Sequence, residues 1–219
     1  MASQRKLVRS FGKSDAIDAL AVARAALREP DLPQAWPDGP DRELRLLSDH
    51  REDLVQEGTR YQRRLRWHLH ELDPDMAPAL RGMAKDANLR RLARQLARME
   101  QTAQVRICRE LLRRIRELAK RALELTRELA RLVREQNPGL LELVGCGTIT
   151  AARILAEVGT IDRFANEFRL ASYAGVAPLD ASSGRQQRHR LNRTGNRRLN
   201  RALYTIALTQ IRIYPPARA

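Results

Sequence analysis

The chain has 219 residues, of which 43% are hydrophobic, 31% charged and only 4% aromatic, and its 41 lysines and arginines against 26 acids leave a net charge of +15. That length is enough to bury a core, the profile suits helices, and the scarcity of aromatic residues excludes an all-β sandwich. The charge favours a polyanionic partner. Nearly all the cations are arginine, with lysine only at Lys6, Lys13, Lys85 and Lys120. GC-rich codon usage produces that bias as readily as function does, so a local absence of acids is the better guide. Cys108 and Cys146 are too few and too far apart for a zinc framework or a disulfide scaffold. His68 and His70, two apart on a helix, point to different faces and read as surface residues. No apolar run approaches the ~18 residues of a membrane span, and the first residues lack a signal-peptide core, so a cytoplasmic protein without a membrane partner is expected.

In chain order, "KSDAIDALAVARAALREP" predicts a helix that Ser14 caps and Pro30 stops. Asp15 and Asp18, three apart, project from one face of it, and two such carboxylates can help to hold a divalent cation; most pairs of this kind are solvated surface. The stretch "EPDLPQAWPDGPDRE", with four prolines and a glycine, is a linker. Helical periodicity resumes near Glu43, runs to about Leu72, and breaks at "DPDMAP". Between Asn88 and Gln136 lies the longest signal. Cys108, Leu111, Ile115, Leu118, Ala122, Leu125, Leu129 and Leu132 form a heptad seam. Leu89, Leu92, Leu96 and Met99 form another, out of phase across "EQTAQ". This predicts a helical hairpin or coiled coil, packed within the chain or against a second copy.

After "NPGL" the sequence turns to shorter elements with more glycine, which places a domain boundary near Asn137. "LELVGCGTITAARILAEVG" reads as a hairpin and helix. Gly145 and Gly147 flank Cys146, and Thr148 caps the helix. Such a turn leaves backbone N–H groups at a positive helix end, a seat for a DNA phosphate, as in helix-hairpin-helix modules; a tight packing turn fits the same residues.

Asp180 is the last acid, and nine arginines follow it to the end of the chain: Arg185, Arg188, Arg190, Arg193, Arg197, Arg198, Arg201, Arg212 and Arg218. "NRTGNRRLNRAL" is a turn at Thr194-Gly195 leading through Asn196 into an arginine-lined helix. Arg197, Arg198 and Arg201 sit in its first turns, where cations oppose the helix dipole unless an anion lies nearby. Phosphate docking supplies that anion. A solvated face is the alternative, but such faces usually mix signs.

The motifs "KSDAIDALAVA", "LVGCGTITAARILAEVG", "F…RLASYAGVAP", "SSG" and "NRTGNRRLNRAL" stand in an order that resembles the IS110/IS116/IS902 family of bacterial insertion-sequence transposases. The resemblance covers nearly the whole chain and is strongest from about Leu141 to Ile206. It implies a DEDD recombinase: an RNase H-like, RuvC-type α/β domain supplying four acids for Mg²⁺, a coiled coil, and a C-terminal transposase domain. The last two acids fall on Asp15 and Asp18. A serine before glycine, proposed to attack DNA covalently, falls on Ser183, with Ser182 adjacent. An element-encoded guide RNA is an implied partner beside double-stranded DNA. Arg185 and Arg188 lie close enough in sequence to stabilise charge on an attacked phosphate; without the resemblance, a polar turn before a basic segment is the alternative for "SSG".

The resulting expectation is a mainly α chain that lacks most of the upstream α/β domain, and with it the first half of the acidic tetrad. Residues 1–29 are a remnant of the RuvC-like domain, 30–40 a linker, 41–137 a coiled-coil region that forms a homo-oligomer, and 138–219 the DNA-binding transposase domain. Nucleic-acid contacts are expected at Gly145, Gly147, Thr148, Arg185, Arg188, Arg190, Arg193, Asn196, Arg197, Arg198 and Arg201. Catalysis is assigned to Ser183 with Asp15 and Asp18. With two of four acids the chain alone is expected to be inactive, and the rival reading is a non-catalytic DNA- or RNA-binding module.

Overall fold

The computed structural model describes residues 15–28, 39–78, 82–83, 85–182, 186, 188–190 and 192–218. Ser14, Ser183 and Arg185 therefore lie outside the described residues. The chain divides into two units, residues 1–38 and 39–219. In the first, α1 (Asp15–Arg28) is built from alanine-rich sequence of high helix propensity. Asp15 and Asp18 occupy its first turn, where carboxylates favour the positive end of the dipole.

The second unit is helical apart from one small hairpin. Helix α2 (Pro40–Leu72) starts three residues before the periodicity does, because Pro40 suits the first helical position. The second long signal resolves into two helices, α3 (Asp86–Arg98) and α4 (Ala103–Gln136). The side chain of Thr102 accepts from the Val105 amide at 3.3 Å and starts α4. The side-chain amide of Gln101 donates to the carbonyls of Leu96 and Met99 and closes α3. Those two caps are why the heptad phase changes across "EQTAQ".

The seam of α4 is spent inside the chain. Cys108, Leu111, Leu112 and Ile115 pack with Leu65 and Leu69 of α2 and with Leu89, Leu92 and Leu96 of α3. At the other end Leu129, Leu132 and Val133 meet Leu44 at the start of α2. The two long helices are therefore antiparallel. They approach closely at Gly58, where an added Cβ would stand 4.0 Å from the Leu118 Cβ. Of the two arrangements open to the heptads, packing within the chain is the one observed. Burial pushes the Cys108 thiol up to about 11, as befits a core residue. His68 is half-buried, packs edge-on against Trp67 and has a buried ring nitrogen without a partner, so it is not the plain surface residue expected.

The change of character at Asn137 does not divide the core. A single turn, α5 (Gly139–Glu142), leads to α6 (Thr148–Val158), then α7 (Glu167–Ala174) and α8 (Arg197–Ile213). Cys146, Ala151, Ala152 and Ala156 share one cluster with Leu44 of α2, Leu129 of α4 and Ile206 of α8. Small side chains on α6 let it lie close against α2 and α4. Between α7 and α8, β1 (Leu179–Asp180) pairs antiparallel with β2 (His189–Arg190), Leu179 opposite Arg190. No described helix is long and apolar enough to cross a membrane.

Because the seam is intramolecular, Leu129→Ala should lower unfolding free energy by about 2–5 kcal/mol, with a midpoint that does not change with protein concentration. Thermal melts over a hundredfold range of concentration test this. A concentration-dependent midpoint would place the seam between copies.

Candidate nucleic-acid interface

The segment Asn192–Asn200 is organised by three asparagines four residues apart. Asn192 donates to the Ser172 carbonyl at 3.2 Å, the Asn196 amide to the Tyr173 carbonyl at 2.7 Å, and Asn200 to the Ala174 carbonyl at 3.1 Å. These are the last-turn carbonyls of α7, which need partners from outside the helix. The Asn192 side chain also accepts from the amide and hydroxyl of Thr194, making the turn. Gly195 then lies directly on Gly175: a Cβ on Gly195 would stand 2.4 Å from the Gly175 Cα. Gly175 itself ends α7 in the left-handed conformation, φ 71°.

Asn196 is the N-cap of α8. Its oxygen accepts from the amides of Arg198 and Leu199 at 3.0 Å each, and its nitrogen donates to Glu157 Oε2 at 2.7 Å and to the Tyr173 hydroxyl at 3.1 Å. Expected as a nucleic-acid contact, Asn196 instead has its side chain fully used inside the fold.

Glu157 is the anion beside the α8 N-terminus. Although only 5% exposed, its carboxylate lies 3.6 Å from Arg198 and 3.8 Å from Arg153. Arg153, with a side chain 11% exposed, reaches Asp49 at 2.5 Å and Glu52 at 3.0 Å on α2. Arg198 also pairs with Asp49 at 2.9 Å, and Arg201 faces Glu52 at 3.7 Å. Burial raises the Asp49 pKa, but the hydrogen bonds and charges of Arg153 and Arg198 outweigh it and leave the carboxyl below its usual range. The notion of arginines with no carboxylate to pair with thus fails for Arg198 and Arg201. Their partners come from residues 49, 52 and 157, far away in sequence.

Asp49, Glu52, Asp53, Arg153, Arg198 and Arg201 line an open cleft of about 1280 Å³ between α2, α6 and the start of α8. Arg193 and Arg197 line it too, both exposed, and neither makes an ion pair with a described residue. Arg188, just before the returning strand of the hairpin, and Arg190, on it, are exposed and likewise make no ion pair with a described residue. At the hairpin neck the Ser182 hydroxyl accepts from the Arg188 amide at 3.1 Å and donates to its carbonyl at 3.4 Å.

The two glycines around Cys146 have different roles. Gly145 has φ +88°, and a Cβ there would meet the Ile206 carbonyl of α8 at 2.9 Å, so it serves packing. Gly147 is the uncapped N-cap of α6, with nothing within 4 Å of an added Cβ. Thr148, expected as the cap, is the first helical residue instead. Asp15 and Asp18 share the first turn of α1, but among the described residues no three potential ligands cluster around a metal position.

Residues 138–219 match the family model described as "Transposase IS116/IS110/IS902 family", and residues 1–74 match a second model, of the DEDD transposase of IS110. The chain is 39% identical over 83 residues to the insertion element IS110 uncharacterized 43.6 kDa protein of Streptomyces coelicolor, covering 37% of this chain and 20% of that protein. Over 81 residues it is 41% identical to the insertion element IS900 uncharacterized 42 kDa protein of Mycobacterium paratuberculosis, covering 36% and 20%. The matched stretch therefore spans about a fifth of each relative's length. With one family signature on the arginine-bearing segment and its cleft and another on the segment that carries Asp15 and Asp18, the chain belongs to the IS116/IS110/IS902 family of transposases.

Proposed function

We propose that this chain serves DNA transposition by holding duplex DNA through its phosphates along residues 188–197 and the adjoining wall of the cleft. One observation carries the reading. Arg188, Arg190, Arg193 and Arg197 are exposed, follow one another along one short segment, and make no ion pair with a described residue. A guanidinium fork matches two phosphate oxygens, and such contacts position a duplex without reading its sequence. Arg153 and Arg198 act differently, by holding α8 against α2 and α6. Gly147, exposed, and Thr148, half-buried, stand at the start of α6, where an anion is favoured.

Ser183, two residues before Arg185 in sequence, is proposed as the nucleophile. The step forms an Oγ–phosphorus ester, breaks one phosphorus–oxygen bond to deoxyribose, and passes the serine proton to a base. The hydrogen bonds of Ser182 at the hairpin neck leave its hydroxyl committed and favour its neighbour. The DEDD type implies a divalent metal, with Mg²⁺ the expected ion and Asp15 and Asp18 its ligands here. Two carboxylates do not make a two-metal cage, and no third ligand joins them among the described residues. A second reading is a DNA-holding module without catalysis. A guide RNA and self-association belong to the first reading. Self-association would need a surface other than the α4 seam, which α2 and α3 occupy.

Four phosphate contacts by these arginines contribute about −3.6 to the slope of log affinity against log salt. Arg193→Ala with Arg197→Ala should reduce its magnitude by about 1.8 and weaken binding to all duplex sequences alike. Arg198→Ala should instead lower thermal stability and leave the slope nearly unchanged. Fluorescence anisotropy across a salt series distinguishes the two, and a slope near zero for the unaltered chain contradicts the proposal.

With the acidic segment of a family relative supplied in trans, a covalent protein–DNA adduct is expected. Ser183→Ala, Asp15→Asn or Asp18→Asn should abolish it, whereas Ser182→Ala should retain it. An adduct on denaturing gels that survives Ser183→Ala moves the nucleophile elsewhere. Should none form with any relative, the non-catalytic reading prevails.

A further inference from the structure

A second basic surface lies away from the cleft, between α3 and α4. Arg106, Arg109, Arg113 and Arg116 recur at steps of three and four along α4 and line a groove of about 540 Å³ whose α3 side carries Ala93. Lys120 continues the row. From Arg106 to Lys120 it extends about 21 Å along one rigid helix.

Two features separate this row from an ordinary solvated face. The next stripe of α4 mixes signs and pairs them: Arg114 with Glu110, Arg121 with Glu124, and Arg131 with Glu135. In the groove row, among the described residues, only Lys120 at its far end has such a partner, Glu124 at 4.0 Å. Arg106, Arg109 and Arg113 are exposed and make no ion pair with a described residue; Arg109 donates only to Gln101. Asp86 on the α3 side is held by Arg90 and also feels the charge of Arg116. Glu110, which also lines the groove, is taken by Arg114. The seam of α4 faces α2 and α3, so these arginines contribute nothing to the core. A row of like charges one helical turn apart is self-repelling, and a row of phosphates relieves it.

We propose that this groove is a second duplex-DNA-binding surface, in which Arg106, Arg109, Arg113 and Arg116 contact phosphates of one strand. The lining distinguishes duplex from single strand. Single-stranded nucleic acids are held by aromatic platforms on which bases stack, and no aromatic residue lines this groove. Guanidinium groups alone suit a backbone whose bases face inward. The surface is separate from the residues 188–197 proposed above, so one unit would engage two stretches of DNA.

The test uses the full chain and a fluorescein-labelled duplex of ~30 base pairs, with anisotropy read across a salt series. Changing Arg106, Arg109 and Arg113 together to Gln should reduce the magnitude of the log–log slope by about 2.7 and weaken binding at least tenfold in 0.1 M salt. The thermal midpoint should stay unchanged, and the same three positions changed to Lys should restore most of the slope. Arg114→Gln with Arg131→Gln, on the mixed-sign stripe, should do neither. An unchanged slope in the Gln variant overturns the proposal. So does loss of affinity for single-stranded or hairpin RNA while duplex affinity holds, since the groove would then belong to RNA. If the Gln variant lowers the slope but Arg193→Ala with Arg197→Ala does not, the groove stands and the cleft reading falls; the converse result removes the groove alone.

Discussion

The C-terminal half of the fold depends on joining two helix ends that are each wrongly charged by themselves. Glu157 stands in the last turn of α6, where a carboxylate opposes the dipole, and Arg197, Arg198 and Arg201 crowd the first turns of α8, where cations oppose it. Bringing the ends together turns both penalties into one favourable contact. Arg45 of α2 completes the α6 terminus by donating to the Ala156 carbonyl at 2.7 Å. Arg153 ties the assembly to Asp49 and Glu52. Glu157 is nearly buried, and removing one partner of such a group typically costs about 3–5 kcal/mol. The lattice therefore sets where α8 lies as well as how its charges are used.

That use divides the arginines into two kinds. Arg153 and Arg198 are structural, and Arg201 faces an acid at longer range. Arg188, Arg190, Arg193 and Arg197 are left facing solvent. The asparagine ladder makes this division possible. Asn192, Asn196 and Asn200 each donate to a last-turn carbonyl of α7, Asn196 through its backbone amide, while Arg193 and Arg197, one residue further on, are exposed. A motif that reads as uniformly basic is thus an alternation of anchor and offered charge.

Much of the architecture was legible from local pattern. The heptads of α4 and the helix from Asp15 follow from periodicity and helix propensity. What escaped was non-local. Nothing near Arg198 announces that Asp49, 149 positions earlier, is its partner. The change of composition at Asn137 suggested a boundary because shorter elements with more glycine begin there. The alanines of α6 instead let it join the α2–α4 core. The asparagine spacing was visible in the sequence and is the signal that could have revealed Asn196 as a cap. The Ser182 hydrogen bonds needed the hairpin register, which no two-residue strand discloses in sequence.

The central claim is that the fold spends some arginines on itself and offers others to phosphate. Side-chain Nε–Hε correlation spectra of the arginines, recorded while duplex DNA is added, test it residue by residue. The resonances of Arg193 and Arg197 should shift with saturation, whereas those of Arg153 and Arg198 should stay in place. If Arg198 moves as far as Arg197, DNA has displaced Asp49 and Glu157, and the division of the arginines is wrong.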